Sequence, residues 1–215
     1  MKLYSYFRSS ASYRVRIALN LKSLAYDTVP VHLLKDGGEQ FSSNYRQLNT
    51  DALVPALQLA NGQVLNQSLA IIEYLDEVHP TPALLPPNPL DRAWVRRIAL
   101  AIACDIHPID NLRVLRYLQN EMGVSEENKN RWYKHWVEQG LASVERTLAQ
   151  DARVGRFCFG DSPSLADCVL IPQVANGQRM ACDLSNMPTI LRINEACLQL
   201  EAFAKASPAQ QPDAE

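Results

Sequence analysis

MKLYSYFRSSASYRVRIALNLKSLAYDTVPVH, residues 1–32, contains two changes of period that decide the fold. Lys2 to Tyr6 alternates, with Leu3, Ser5 and Phe7 on one face and Tyr4 and Tyr6 on the other, which predicts a short strand. Ser9-Ser10 then offers hydroxyl caps to a helix in which Val15, Ala18 and Leu19 recur at helical spacing. Arg14 and Arg16 fall beside that stripe and read as structural or surface groups. Tyr26 to His32, with Thr28, Val29 and Val31, returns to strand character. Strand, helix and strand make a βαβ unit, so the two strands should run parallel through a right-handed crossover.

Working outward, Asp36-Gly37-Gly38 is a turn, and Gln40 to Leu48 predicts a weak helix. Ala56 to Ala60 and Gln63 to Asn66 flank Asn61-Gly62, the strongest short hairpin signal. Ser68 is placed to cap a helix in which Leu69, Ile72 and Leu75 precede His79-Pro80. The order βαβ-α-ββα is a four-stranded mixed sheet with helices on its faces, a thioredoxin-like arrangement. Pro80 to Pro89 holds five of the thirteen prolines and can neither continue a helix nor join a ladder. The expected organisation is therefore an α/β thioredoxin-like domain over 1–80, a Pro-rich linker over 81–89 and an all-helical domain over 90–215.

In that second part, Asp91 to Asn120 carries Trp94, Ile98, Ile102, Ile106 and Ile109 near helical spacing, with a kink expected at His107-Pro108. Glu126 to Gln150 predicts a second long helix, with Trp132, Trp136 and Leu141 among its apolar positions and the two Trp read as core. Ser164-Leu165-Ala166-Asp167 matches a capping box in which Asp stands for Glu. Pro188 to Phe203 supplies the last helices, and Ser207 to Glu215 reads as a polar tail.

Composition narrows the function. The 215 residues are 47% hydrophobic and 20% charged, with 21 Lys+Arg against 23 Asp+Glu and a net charge of -2. That balance argues against general nucleic-acid binding. No apolar run reaches the ~18 residues of a membrane helix, and the first residues lack a signal peptide's apolar stretch. A soluble, cytoplasmic protein is expected. The odd set Cys104, Cys158, Cys168, Cys182 and Cys197 writes neither a disulfide framework nor a zinc ribbon, and His32, His79, His107 and His135 lack ligand spacing, so no metal is expected.

Three places in the first domain are chemically suggestive. A thiol redox enzyme of this arrangement would put Cys at the start of the first helix, where the dipole lowers its pKa. The chain has Ser9-Ser10-Ala11-Ser12 there, which excludes a protein-borne thiol. What remains is a hydroxyl-lined helix N-terminus suited to an anion from outside, or simply a good N-cap. Val54-Pro55, at the head of a strand, is either an ordinary trans proline or a cis one that exposes the preceding backbone to an extended peptide. Gln67-Ser68, opening the last helix, is either a cap or a carboxylate site.

The segment Arg8-Ser9-Ser10-Ala11-Ser12-Tyr13-Arg14-Val15-Arg16-Ile17-Ala18-Leu19 resembles the signature of zeta-class glutathione transferases, the maleylacetoacetate isomerase family. Leu34-Lys35-Asp36-Gly37-Gly38, Val54-Pro55, Gln67 to Leu75, Pro172-Gln173-Val174-Ala175-Asn176 and Gln211-Pro212-Asp213 extend the resemblance nearly end to end. It departs at Ala11, where the family often has Cys, at Tyr13, where it often has Trp, and at His107, which replaces the Gln of some members.

The resemblance implies a glutathione transferase fold, a homodimer and glutathione as cofactor. Ser9, with Ser10 beside it, would stabilise the thiolate, while Gln40 and Val54 hold the middle of the peptide. Gln67 and Ser68 would take its γ-glutamyl end, and His107 and Asn111 would contact it from the second domain. The implied reaction is cis–trans isomerisation of maleylacetoacetate by reversible thiolate addition. Maleylpyruvate isomerisation and conjugation of α-halo acids are the alternatives, and a non-catalytic binding protein is the reading from another class. Because the substrate is a small dicarboxylate keto-acid, Arg8 and Arg179 are the candidate carboxylate-binding residues.

Overall fold

The structure, a computed structural model, describes every residue from Met1 to Glu215. It divides into two compact units, Met1–Leu84 together with Leu198–Glu215, and Leu85–Cys197.

The first unit is built on a sheet of β1 (Lys2–Ser5), β2 (Asp27–Pro30), β3 (Ala56–Gln58) and β4 (Val64–Asn66) in the order β2-β1-β3-β4. β1 pairs parallel with β2 and antiparallel with β3, and β3 pairs antiparallel with β4. Leu3 faces Leu57 across the sheet and both are fully buried. Helix α1 (Ser10–Leu21) forms the crossover, α2 (Ser43–Leu48) follows a short 3₁₀ turn at Glu39–Phe41, and α3 (Ser68–Val78) closes the module. Ser9 is the N-cap of α1, and Val15, Ile17, Ala18 and Leu19 bury its apolar side. Gly62, at φ 87°, supplies the left-handed backbone that the hairpin needs.

One sequence reading is resolved in this unit and one is corrected. Of the two readings of Arg14 and Arg16, structural and surface, the structural one holds, since both are buried. Arg16 Nε donates to the Ala206 carbonyl at 2.8 Å, Nη1 to Ser5 Oγ at 3.0 Å and Nη2 to the Phe7 carbonyl at 3.1 Å. Burial lowers its pKa to about 10, well above any working pH, so the guanidinium stays charged and needs these acceptors. The correction concerns the end of the chain, expected as part of the helical domain over 90–215. The chain after Leu198, including α9 (Glu201–Ala206), packs in this unit rather than with the helical one. Tyr13 Oη donates to the Phe203 carbonyl at 3.3 Å and Asn20 Nδ2 to that of Ala202 at 2.9 Å. Hydrogen-bond partners some 190 residues apart leave no trace in local periodicity.

The second unit is helical throughout, from α4 (Pro89–Leu100) to α5 (Leu112–Asn120), α6 (Glu126–Ala149), α7 (Leu165–Arg179) and α8 (Pro188–Leu198). The expected kink spreads over two irregular turns between α4 and α5, a π-helical stretch at Ala101–Ile106 and a 3₁₀ turn at His107–Asp110. α6 packs against both turns, and Gly140 makes this possible, since a Cβ there would lie 2.5 Å from Ile106 Cγ1. Asp167 forms the capping box, its Oδ2 accepting from the Ser164 N–H at 2.8 Å while Oδ1 accepts from the Cys158 N–H at 2.8 Å. Trp132 and Trp136 are half-buried rather than core, and Trp132 Nε1 donates to the Ile109 carbonyl at 3.0 Å.

Candidate active site

One row of paired residues, Val29–Tyr4–Ala56–Asn66, crosses the sheet. Beyond it lie the carboxyl ends of β1, β2 and β4 and the amino end of β3. The chain therefore leaves the sheet along this one edge at Arg8–Ser10, in the loop from His32 to Gln40, at Val54, and at Gln67–Ser68. The topology gathers every candidate residue of the first unit there, the position where open α/β sheets place ligands.

Ser9 caps α1 by accepting the Ser12 N–H on its Oγ at 3.2 Å. Its own hydroxyl hydrogen remains available to an outside acceptor, above a helix end that carries partial positive charge. Ser10, the first helical residue, is buried. Arg8 is exposed, its guanidinium stacked 4.9 Å over the Phe7 ring.

The Val54-Pro55 peptide is cis. The Val54 side chain packs with Tyr6, Phe7, Val31 and Tyr45, while its backbone N–H and C=O make no hydrogen bond within the chain. The preceding carbonyl is fixed instead, since Leu53 O accepts from Tyr45 Oη at 2.6 Å and Asn49 Nδ2 at 2.7 Å. Gln40 is buried with Oε1 unpartnered. Gly38 makes room for it, because at φ 118° a Cβ would stand 2.6 Å from Gln40 Nε2.

Gln67 is exposed and takes φ 67°, ψ 116°, outside the left-handed minimum, a strain of ~1–3 kcal/mol of the kind that collects at binding sites. The expected cap is corrected here, since Gln67 rather than Ser68 is the N-cap of α3, with no side-chain cap bond. Ser68 is buried and its Oγ accepts from Arg14 Nη1 at 3.2 Å.

In the helical unit, His107 opens the 3₁₀ turn and Asn111 caps α5, its Oδ1 accepting the Arg113 N–H at 3.2 Å; both are half-buried. Arg179, the last residue of α7, is exposed and contacts Met180 Sδ at 3.6 Å. Its guanidinium also acts electrostatically on the Tyr133 phenol, whose pKa burial pushes up. Tyr133 in turn feels the carboxyl of Asp110, in the turn that carries His107 and Asn111. Arg179 and that turn thus share one neighbourhood.

The glutathione S-transferase N-terminal domain family matches residues 8–78. The chain is 50% identical to the probable maleylacetoacetate isomerase of Vibrio cholerae serotype O1, with 99% of this chain and 97% of the relative covered. It belongs to the zeta-class glutathione transferase family. The holo structure of a maleylpyruvate isomerase, a bacterial glutathione S-transferase of the zeta class, superposes with a TM-score of 0.96 at 47% identity over 100% of both chains. A maleylacetoacetate isomerase from Methylobacterium extorquens AM1, solved with bound malonate and GSH, gives a TM-score of 0.96 at 40% identity over 100% of both chains. The thioredoxin-like and helical architecture is accordingly the glutathione transferase fold, and the chain is an enzyme of this family.

Two further groups, one in each unit, are not marked by local sequence pattern. Asp110 is buried with neither carboxylate oxygen partnered, and burial raises its pKa to about 7. A lone Asp beside His107-Pro108 carries no signal of burial; the register set by the π-helical stretch decides it. Asp213, in the apparent tail, accepts the Phe7 N–H on Oδ2 at 3.0 Å, two residues before Ser9. Its one mark in the sequence is the family-like Gln211-Pro212-Asp213.

Proposed function

We propose that this chain is a glutathione-dependent cis–trans isomerase that converts maleylacetoacetate to fumarylacetoacetate. The observation that carries the reading is the sheet-edge set of groups in a chain half identical, over its whole length, to a probable maleylacetoacetate isomerase. The residues fit the tripeptide by their own chemistry. The unengaged N–H and C=O of Val54 match the edge of an extended peptide, and the orphaned, buried Gln40 Oε1 is an acceptor waiting for a donor. When bound, glutathione supplies the sulfur that adds reversibly to the cis double bond and so permits rotation.

The chain's own groups then have separate tasks. Ser9 donates its hydroxyl hydrogen to the thiolate, and the N-terminal N–H groups of α1, with Ser10, lower the cost of that charge. Val54 orients the peptide through its backbone, while Gln67 and Ser68 at the start of α3 take the γ-glutamyl carboxylate. Gln40, from the first unit, and His107 and Asn111, from the helical unit, complete the hold. Arg179 and Arg8 bind the substrate's carboxylates, each guanidinium offering the fork that a carboxylate accepts in two places. The first unit is thus the cofactor-binding domain and the helical unit the substrate-binding one. The working form is a homodimer in the cytoplasm; no helix is long and apolar enough to cross a membrane.

Maleylpyruvate is the second substrate to weigh, on the likeness to the zeta-class maleylpyruvate isomerase. A side-by-side assay of both maleyl compounds, at equal enzyme and saturating glutathione, tests the assignment. The higher kcat/KM is expected on maleylacetoacetate; a preference of tenfold or more for maleylpyruvate would reassign the substrate.

A further inference from the structure

Gln211-Pro212-Asp213, a motif with no part in the proposed chemistry, opens a terminal segment whose Asp213 meets the loop that carries Ser9 and whose Glu215 meets the loop that carries Gln40. We propose that the segment Gln211–Glu215 is a strap that positions the glutathione half-site, with Asp213 setting the backbone that presents Ser9 and Glu215 setting the loop that presents Gln40. The inference rests on the function proposed above and deepens it.

Phe7 is held at both ends by charged groups. Its N–H donates to Asp213 Oδ2 at 3.0 Å, and its carbonyl accepts from Arg16 Nη2 at 3.1 Å. The Ser9 N–H in turn closes onto the Tyr6 carbonyl at 2.9 Å, so the backbone from Tyr6 to Ser9 is one clamped turn. Arg16 is itself fixed to the Ala206 carbonyl at 2.8 Å, and the Asp213 charge acts on it favourably. The strap is tied down as well. Gln211 is buried, and its Nε2 donates to the carbonyls of Lys205 and Ser207, both at 2.9 Å. Charge-assisted bonds of this kind hold geometry better than neutral ones, which a reactive hydroxyl at a helix start requires.

Glu215 acts on the second loop. Its carboxylate pairs with Lys35 Nζ at 2.7 Å and lies 3.4 Å from His32 Nε2. His32 Nδ1 accepts the N–H groups of Leu34 and Lys35 at 3.1 and 2.9 Å, which leaves the ring proton on Nε2, toward Glu215. The base of the loop is closed where Glu39 donates its N–H to the His32 carbonyl at 2.8 Å, with Gln40 the next residue. The His32 ring meets Tyr6 edge-on at 4.8 Å, joining the two loops. Because the Glu215–Lys35 pair is exposed, Glu215 is the weaker of the two positioning residues.

The test uses the full chain and reads three quantities: glutathione affinity by calorimetry, turnover at saturating glutathione, and the pH midpoint of the acidic limb of turnover. Asp213→Ala should lower turnover at neutral pH at least ~10-fold, within the ~100-fold that a misplacement of about 1 Å costs. It should also move the acidic midpoint upward, because a displaced Ser9 steadies the thiolate less. Asp213→Asn keeps an acceptor for the Phe7 N–H and should restore most turnover and the original midpoint. Glu215→Gln, an exposed change that leaves folding intact, should raise the KM for glutathione ~2–5-fold at unchanged kcat, as loss of a weak positioning contact does.

Unchanged turnover and midpoint in folded Asp213→Ala would overturn the role of Asp213. Should that variant not fold, an unchanged glutathione KM in Glu215→Gln would overturn the strap. If the unaltered protein binds no glutathione, the proposed function fails and this inference with it; if it binds and the variants match it, the inference alone fails.

Discussion

Asp110→Asn isolates what an unpartnered carboxyl does to this fold. The folded-state pKa is about 7, against the usual 3.8, and the cause is burial. Between those values the folded chain holds a proton that the unfolded chain has released, so stability falls as pH rises, and the penalty is complete above about 7. The full shift is worth about 4 kcal/mol at 1.36 kcal/mol per unit, and the two units between pH 5 and pH 7 about 2.7 kcal/mol. Water reaching part of the carboxyl reduces the latter to about 2 kcal/mol. An amide at this place has the same shape and no charge to desolvate. Urea unfolding of both proteins at pH 5 and pH 8, followed by fluorescence of the three tryptophans, measures the difference. Asp110→Asn should gain about 2 kcal/mol relative to the unaltered protein on going from pH 5 to pH 8. The Asp110 carboxyl should titrate near 7 by carbon NMR. A gain that does not change with pH, or a titration midpoint below 5, would refute the reasoning.

Other consequences follow from the same geometry. Ser9→Ala should cut turnover at least ~100-fold, as loss of one anion-stabilising donor does elsewhere, and steady-state rates at saturating glutathione measure it. Arg179→Ala should raise the KM for the dianionic substrate and leave glutathione affinity as it was, which kinetics and calorimetry separate. Gly140→Ala drives a methyl to 2.5 Å from Ile106, so the melting temperature should fall by the equivalent of ~1–3 kcal/mol.

The sheet-edge part of the candidate site was legible because it is written in punctuation. Ser9 follows a strand and opens an apolar stripe, Val54-Pro55 heads a strand, and Gln67-Ser68 begins a helix, so three candidate positions fall where periods change. Gln40 has no such mark; its burial depends on Gly38 at φ 118° and became an expectation through family resemblance alone. Charge alone left Arg16 between a structural and a surface role, which the Ala206 carbonyl and Ser5 hydroxyl decide. The tail was harder to place, because the partners of Gln211 and Asp213 are backbone groups, which have no sequence signature. Asp110 was hidden by a change of helical pitch, which moves residues to new faces without altering composition.

The central claim is that the attacking sulfur comes from a bound tripeptide and not from the protein. Following maleylacetoacetate conversion with glutathione at a small fraction of the substrate concentration tests it most directly. The account predicts complete conversion with the glutathione recovered unchanged and no conversion once it is removed. Conversion at an equal rate without glutathione, or one glutathione consumed for each product formed, would contradict it.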